Sequence, residues 1–196
     1  MPSQAESVNQ TQVTTPALTI RPAAESDLET LGALLTALSD LSRYHRFQAP
    51  IPTPPRPALL RHLLHPTGAA WLATRADHPL AHAMWAWATP TSVPGASSPE
   101  KIAELAVVVA DGEQGKGLGV RMLTVAAADA VEAGATHFLL VVGASNERSL
   151  GMVRRRWPGA VGERDGSLLS FVVPARPAAG PRSEVRPREL CRTTGR

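Results

Sequence analysis

Cysteine is almost missing. Cys191 stands alone among 196 residues, which excludes an internal disulfide framework and a cysteine-rich metal site. It lies in a polar stretch, where a reactive nucleophile is not expected. Tyr44 is the one tyrosine, and lysine occurs twice against 18 arginines. No apolar run comes near the roughly 20 residues that span a bilayer, so no membrane partner is expected. The opening MPSQAESVNQTQ lacks a charged end followed by an apolar stretch, so no secretory signal is expected. Six histidines, at 45, 62, 65, 78, 82 and 137, are scattered. His62 and His65 stand three apart without a third ligand, so no metal site is expected. A net charge of +3 falls short of a dedicated nucleic-acid binder. The sequence shows no internal repeat and carries no signal for an oligomeric state. What is there, 43% hydrophobic and 19% charged residues, suffices for one well-buried domain. A soluble cytoplasmic protein is the expectation.

Residues 1–16 are Ser, Gln, Thr and Ala without periodicity and read as a disordered tail. Residues 175–196 read as a second disordered tail, rich in Arg and Pro, leaving 17–174 as the folded domain. Six arginines against Glu184 and Glu189 make that tail about +4, and it lacks the aromatics that base stacking wants. A solvated tail is the preferred reading over a nucleic-acid arm.

Within the domain, Ala17–Arg21 reads as a strand stopped by Pro22. Ser26 and Glu29 read as a capping box opening a helix. Leu28, Leu31, Leu34, Leu35 and Leu38 form its apolar stripe. Tyr44, His45, Arg46 and Phe47 read as loop. Pro50–Pro57 leads into a short helix that turns Leu59, Leu60, Leu63 and Leu64 inward. Ala69–Arg75 and Leu80–Thr89 read as a hairpin, with Trp85 and Trp87 on one face and His82 and Met84 on the other. Pro90–Glu100 reads as a loop. Ile102–Ala110, Gly117–Glu132 and His137–Val142 then form a β-α-β unit whose second strand reads as buried on both faces. A helix over Asn146–Arg156, a short segment near Val161, a turn at Asp165–Gly166 and a strand at Leu168–Val173 complete the chain. The order predicts an α/β (α+β) fold, a mixed central sheet with helices on both faces.

The segment VVVADGEQGKGLG, Val107–Gly119, joins the central strand to its helix. Gln114, Gly117 and Gly119 show a Q-x-x-G-x-G spacing, with Gly115 as an extra glycine. Such glycines accept positive φ and let backbone N–H groups converge on an anion at a helix N-terminus. Glycines alone do not separate that role from a tight connection without a ligand. A Walker loop is excluded, because Lys116 is followed by Gly117 and Leu118 and not by a hydroxyl. The spacing of Gly115, Gly117 and Gly119 is also wrong for a dinucleotide fold.

The element order and the stretch AELAVVVADGEQGKGLG resemble the GNAT superfamily of acetyl-CoA-dependent N-acetyltransferases, over roughly Leu18 to Val173. The resemblance implies that Gln114, Gly115, Lys116, Gly117, Leu118 and Gly119 hold the coenzyme A diphosphate. It also implies that Val107, Val108 and Val109 line the pantetheine between two splayed strands, with Asn146 assisting. LSRYHRF and AELAVVV look like the catalytic domain of bacterial protein-lysine acetyltransferases. They imply a protein lysine as acceptor, with a small amine as the alternative, and an acceptor pocket shaped near residues 44–47. The family's Tyr that protonates the leaving thiolate falls near Val153 here, and Trp157–Pro158 replaces the usual Gly-Phe ending. That leaves water or Ser149 for the proton, or a protein that binds acyl-CoA without turnover. Arg154, Arg155 and Arg156 read as cations at a helix C-terminus, with a contact to the adenosine 3′-phosphate as the lesser option.

Glu104 is the candidate general base. An amine arrives mostly as ammonium, with a reference lysine pKa of about 10.4, and must lose a proton before it attacks a thioester. Glu104 shares a strand face with Ile102, Ala106 and Val108, an otherwise apolar face on which a carboxylate gains basicity. Backbone N–H groups near Val107 could stabilise an oxyanion. The lysine acetyltransferases that the chain resembles place a Glu at this point. The other reading is a Glu at the sheet edge reaching solvent. Asp111 and Glu113 are rivals, but the loop sets them beside the diphosphate, where their charge repels it.

Overall fold

Among the described residues, seven strands, numbered in chain order and bounded below, form one sheet in the order β1-β2-β3-β4-β5-β7-β6. The computed structural model describes residues 16–88 and 101–175. Apart from Pro16 and Ala175, the readings of the two tails, of Cys191 and of the Pro90–Glu100 loop fall outside these residues; Ala175 is held, its N–H donating to the Thr136 carbonyl at 2.9 Å.

Strand β1, Leu18–Pro22, ends where its proline can no longer donate to a ladder. Strands β2, Ala69–Arg75, and β3, His78–Trp87, are joined by Ala76 and Asp77, both at positive φ. That geometry matches the right-handed twist of the flanking strands. Strand β4, Ile102–Val109, adds antiparallel to β3, and β5, His137–Gly143, adds parallel to β4 across helix α4, Leu118–Glu132. Helix α5, Glu147–Arg156, precedes β6, Glu163–Asp165, and β7, Leu168–Pro174, and β7 returns antiparallel beside β5. The fold is therefore the expected mixed α/β arrangement.

The two sheet faces are covered by different helices. Leu31, Leu34, Leu35 of α1, Leu28–Ala37, and Leu60, Leu63, Leu64 of α3, Pro57–Leu64, pack with Leu72, Met84 and Val108. Pro57 opens α3 at a position where its missing N–H costs nothing. On the opposite face Met122, Ala126 and Ala130 of α4 and Leu150 and Val153 of α5 pack on Trp85, Leu105, Phe138 and Phe171. The two faces of β3 divide as expected, with Trp85 and Trp87 on one and Met84 on the other. Trp85 faces α4 and donates from Nε1 to Asp129 at 2.7 Å, and His82 on the other face bonds the Leu63 carbonyl at 3.2 Å.

Three local readings are corrected. The first helix has no Ser26–Glu29 box. Residues Glu25–Asp27 form a 3-10 turn, and the Asp27 carboxylate accepts from the Ala24 N–H at 2.8 Å while pairing with Arg21 at 2.6 Å. The Arg21 hydrogen bond, against the cost of burial, holds that carboxyl below its usual range. The ion pair recruits Asp27 and leaves Ser26 outside. Residues 44–47 are not loop but the end of helix α2, Asp40–Phe47, whose Ser39 side chain accepts from the Ser42 N–H. Strand β5 is not buried on both faces throughout, because Val141 is 37% exposed. The sheet opens beside it.

Candidate active site

The opening is a matter of register. Strands β3 and β4 stay paired from Ala81↔Val109 to Trp87↔Ala103, whereas β4 and β5 pair only at Ile102↔His137, Ala103↔Phe138 and Glu104↔Leu139. Beyond Glu104 the two parallel strands fork, and the β5-facing backbone groups of β4 have no strand partner. The fork holds a cleft of about 890 Å³. Glu104, Val107, Val108, Val109, Gln114, Gly115, Gly117, Gly119 and Asn146 all line it. Lys116 and Leu118 do not. Lys116 points outward to Glu113 at 3.2 Å, and Leu118 is buried in the core beneath α4.

The loop at the mouth of the cleft is shaped by glycine. Gly115 and Gly117 take φ of 79° and 82°, and a Cβ at either would meet nothing within 4 Å. Glycine is required there by backbone angle and not by crowding. Gly117 is also the N-cap of α4. No acidic side chain stands in the first turn of that 15-residue helix, so its free N–H groups and positive dipole end face open space. These residues fit an acyl-coenzyme A diphosphate.

Polar side chains around the loop are tied into one network. Gln114 Nε2 donates to the Val109 carbonyl at 3.0 Å and to Ser42 Oγ at 3.0 Å, and Gln114 Oε1 accepts from Arg148 of α5. Asp111 accepts from the Ser39 N–H at 2.8 Å, from Ser39 Oγ at 3.0 Å and from Ser42 Oγ. Partial burial works to raise the Asp111 carboxyl, and the hydrogen bonds from Ser42 and Ser39 outweigh it, leaving the group below its usual range. Asp111 therefore holds α2. Glu113 pairs with Arg75 and Lys116, both at 3.2 Å, and these bonds lower its pKa. Both carboxylates are engaged away from a base's role.

Helix α2 forms the wall opposite Glu104. His45, Arg46, Phe47 and Gln48 line the cleft, whereas Tyr44 does not and is 43% exposed. The face around Glu104 is thus not purely apolar, as the strand pattern implied. Burial pushes the Arg46 guanidinium down to about 10, opposed by the nearby Glu104 charge. Arg46 also stacks 5.0 Å over the Phe47 ring. Burial first, then the Arg46 charge, depress His82 to about 3, against its bond to the Leu63 carbonyl, so His82 is neutral at physiological pH. Asn146 caps α5, its side chain accepting from the Ser149 N–H at 3.1 Å. Val153, where the resemblance places a Tyr, is fully buried at the cleft wall, and Ser149 brings a hydroxyl there. Trp157 packs edge-on against Phe138 and bonds the Pro174 carbonyl at 3.2 Å, closing the far end of α5. Arg155 lines the cleft, Arg154 pairs with Glu147 at 3.8 Å, and Arg156 lies over the Trp157 ring. Sequence reasoning missed Arg148, Gln48 and the two serines. Only Ser39 and Ser42, spaced as a helix cap, carried a local signal.

Among the described residues, no group of three or more His, Cys, Asp and Glu could hold a metal ion, and no helix is long and apolar enough to cross a membrane. Residues 35–156 match the family model described as the acetyltransferase (GNAT) family. No curated protein matches the sequence. Among solved structures, the GNAT domain of S. lividans PAT is similar at 24% identity and a TM-score of 0.68, covering 79% of this chain and 89% of that one. An N-acetyltransferase from Staphylococcus aureus Mu50 is similar at 18% and 0.60, covering 82% and 99%. The structure of yncA from Salmonella typhimurium with its cofactor acetyl-CoA is similar at 17% and 0.59, covering 85% and 99%. At these identities the likeness is one of fold.

Proposed function

The chain belongs to the acetyltransferase (GNAT) family, and on that premise we propose that it acetylates a primary amine, a protein lysine, with Glu104 as general base. The observation that carries this reading is the fork after Glu104↔Leu139, which sets one carboxylate at the inner end of a cleft whose outer end is the α4 N-terminus. Acetyl-CoA, when bound, supplies the acetyl group as an activated thioester. The backbone of Gln114–Gly119 would hold its diphosphate, Lys116 and Leu118 contributing main chain only. Arg148 adds a cation beside Gln114. The backbone of Val107–Val109, which has no strand partner on its β5 side, and Asn146 would flank the pantetheine. Glu104 takes the ammonium proton, directly or through one water, so that a neutral nitrogen can attack. Ser149 offers a hydroxyl for the leaving thiolate. The lysine assignment draws on the LSRYHRF and AELAVVV segments.

A second reading, acyl-CoA binding without turnover, is favoured by one observation: Val153 gives no acid at the expected place. Coenzyme A release, measured with a panel of proteins, polyamines, amino acids and aminoglycosides, decides. Release with lysine-bearing proteins supports the first reading. Tight acetyl-CoA binding with no release to any amine supports the second.

A further inference from the structure

The cleft is not the only space beside the fork. A groove of about 510 Å³ runs between α4 and α5. Leu105, Val120, Leu123, Leu140, Met152 and Arg155 line both, so the groove adjoins the cleft. The junction lies at the fork's inner end. Leu105 follows Glu104, the last residue of β4 paired with β5, and Leu140 follows its partner Leu139. Successive strand residues point to opposite faces. Glu104 therefore looks towards α2, and Leu105 and Leu140 look towards α4 and α5.

Helix α4 carries two apolar stripes. Leu118, Met122, Ala126 and Ala130 are buried against the sheet. Val120, Leu123, Ala127 and Val131 form the second at helical spacing, are not fully buried, and line the groove. Alanine at 127 and 128 leaves width there that larger side chains would close. The groove's one hydroxyl, Thr124 Oγ1, donates to the Val120 carbonyl at 2.9 Å. Among the described residues, no buried polar atom without a partner lies in it. Arg155 stands at the junction, and Arg156 lies over the Trp157 ring at the far end. Against these two cations the groove sets only Glu132. The chain after Ala175 carries six arginines, so it is a poor occupant. An uncharged apolar chain suits the walls. From Leu123 to Val131 the helix advances about 12 Å. An extended chain of eight carbons, with bonds of about 1.5 Å, is about 9 Å long.

We propose that this groove takes the acyl chain of a coenzyme A thioester longer than acetyl, a straight uncharged chain of about eight carbons, as an acyl donor. The thioester carbon lies at the inner end of the fork beside Glu104. Its chain leaves past Leu105 and Leu140, on the side away from the amine. Bonds change as in acetyl transfer. The N–C bond forms and the C–S bond breaks, one ammonium proton goes to Glu104, and a second nitrogen proton goes to the leaving thiolate. Ala127 and Ala128 are then specificity-determining residues for chain length. The inference rests on the acetyltransferase reading in placing a coenzyme A thioester in the cleft.

The test compares acetyl-, octanoyl- and succinyl-CoA on the full chain. Calorimetry reads binding, and coenzyme A release reads transfer to lysine-bearing proteins. A buried methylene is worth about fourfold in affinity. Six more of them in a half-open groove should lower the octanoyl-CoA Kd at least about tenfold below that of acetyl-CoA. Ala127→Phe should bring the two Kd values to within about threefold, and should leave acetyl-CoA binding and transfer within about twofold of wild type. Circular dichroism checks folding, and Ala128→Phe, at the exposed rim, carries the test if Ala127→Phe does not fold. Equal wild-type Kd values overturn the proposal and leave the acetyltransferase reading standing. Sedimentation and limited proteolysis of Ala127→Phe then tell whether a second copy or the chain after Ala175 holds the groove. An octanoyl advantage that survives both variants overturns it as well. So does succinyl-CoA binding more tightly than octanoyl-CoA, because Arg155 would then be reading a carboxylate. Octanoyl-CoA that binds but is not transferred, while acetyl-CoA is, overturns the donor role. With no transfer from any thioester the acetyltransferase reading falls, and the Kd values decide whether the groove takes the chain. Binding of none of the three overturns both.

Discussion

The two ends of helix α2 follow opposite rules. At its start, Ser39, Ser42, Asp111 and Gln114 satisfy one another, and Arg148 closes the set. At its end, His45, Arg46 and Gln48 each leave a sealed polar atom unmet among the described residues. The helix buries no residue fully, so packing alone does not hold it. The difference teaches which end is structural. The saturated end keeps its place without help and fixes α2 to the loop before α4, whereas the unmet end faces Glu104.

The largest expected effect lies across from the unmet end. Glu104→Gln should lower turnover at pH 7 by about 10²–10⁴-fold, the usual worth of a positioned base. Activity should partly recover towards pH 10 as the amine loses its proton unaided. Acetyl-CoA affinity should persist. A kcat/KM profile from pH 6 to 10 checks this, and wild-type turnover across the range removes Glu104 from the mechanism.

The next effect measures how deep that wall is. His82 has a folded pKa of about 3 against 6.5 for the free side chain. Above pH 6.5 both states are neutral and stability does not change through this group. Below it the unfolded chain takes a proton that the fold refuses, so stability falls with pH until about 3. Between pH 6.5 and 4.5 the loss should reach ~2–3 kcal/mol. Asp27 and Asp111, whose carboxyls are held low, keep their contributions above the unfolded carboxylate pKa and lose them only as pH falls through their folded values. They lie outside this window. Urea unfolding at pH 7 and 4.5, with His82→Gln as the control, should show a large loss in the wild type and less than half of it in the variant. A flat wild-type profile means that His82 is not held neutral.

How much of this was legible in the sequence follows the same division. The core β-α-β unit, the leucine stripes of α1 and α3 and the Trp85/His82 face split were readable, because burial writes a period into the residues. The glycine turn was readable because positive φ favours glycine. Helix α2 was not, because it is short, polar and buries nothing completely, and so has no apolar stripe. Arg46 beside Glu104, and Arg148 beside Gln114, are juxtapositions made by the tertiary fold alone. The Asp27 cap was missed because an ion pair with Arg21 outcompeted a local serine.

On the saturated side, Gly117→Val should raise the acetyl-CoA Kd by about thirtyfold or more. The left-handed φ of 82° costs a side-chain residue roughly 1–2 kcal/mol, and the β-branched chain projects into the open space before α4. Unchanged binding by calorimetry would show that the diphosphate lies elsewhere. Asp111→Ala should act less strongly and on the other substrate. It removes the acceptor that holds Ser39 and Ser42, so the acceptor-amine KM should rise about three- to tenfold, with a smaller change in acetyl-CoA Kd. The reverse ordering would mean that Asp111 serves the cofactor and not α2.

The smallest expected effect separates side chain from backbone in the loop itself. Lys116 sits within the glycine turn, and its charge invites a diphosphate contact. The structure turns it away: its Nζ pairs with Glu113 at 3.2 Å, its side chain is 61% exposed, and it is absent from the cleft lining. Lys116→Ala keeps the backbone N–H, and Glu113 keeps Arg75. What is lost is a long-range attraction between an exposed cation and an anionic ligand, which salt screens over about 8 Å at physiological ionic strength. The acetyl-CoA Kd should therefore rise less than about threefold at low salt and less than about 1.5-fold in 0.5 M salt. A change above about tenfold that survives 0.5 M salt would place the Lys116 amine on the cofactor, and the loop would then hold its ligand by a side chain as well as by its main chain.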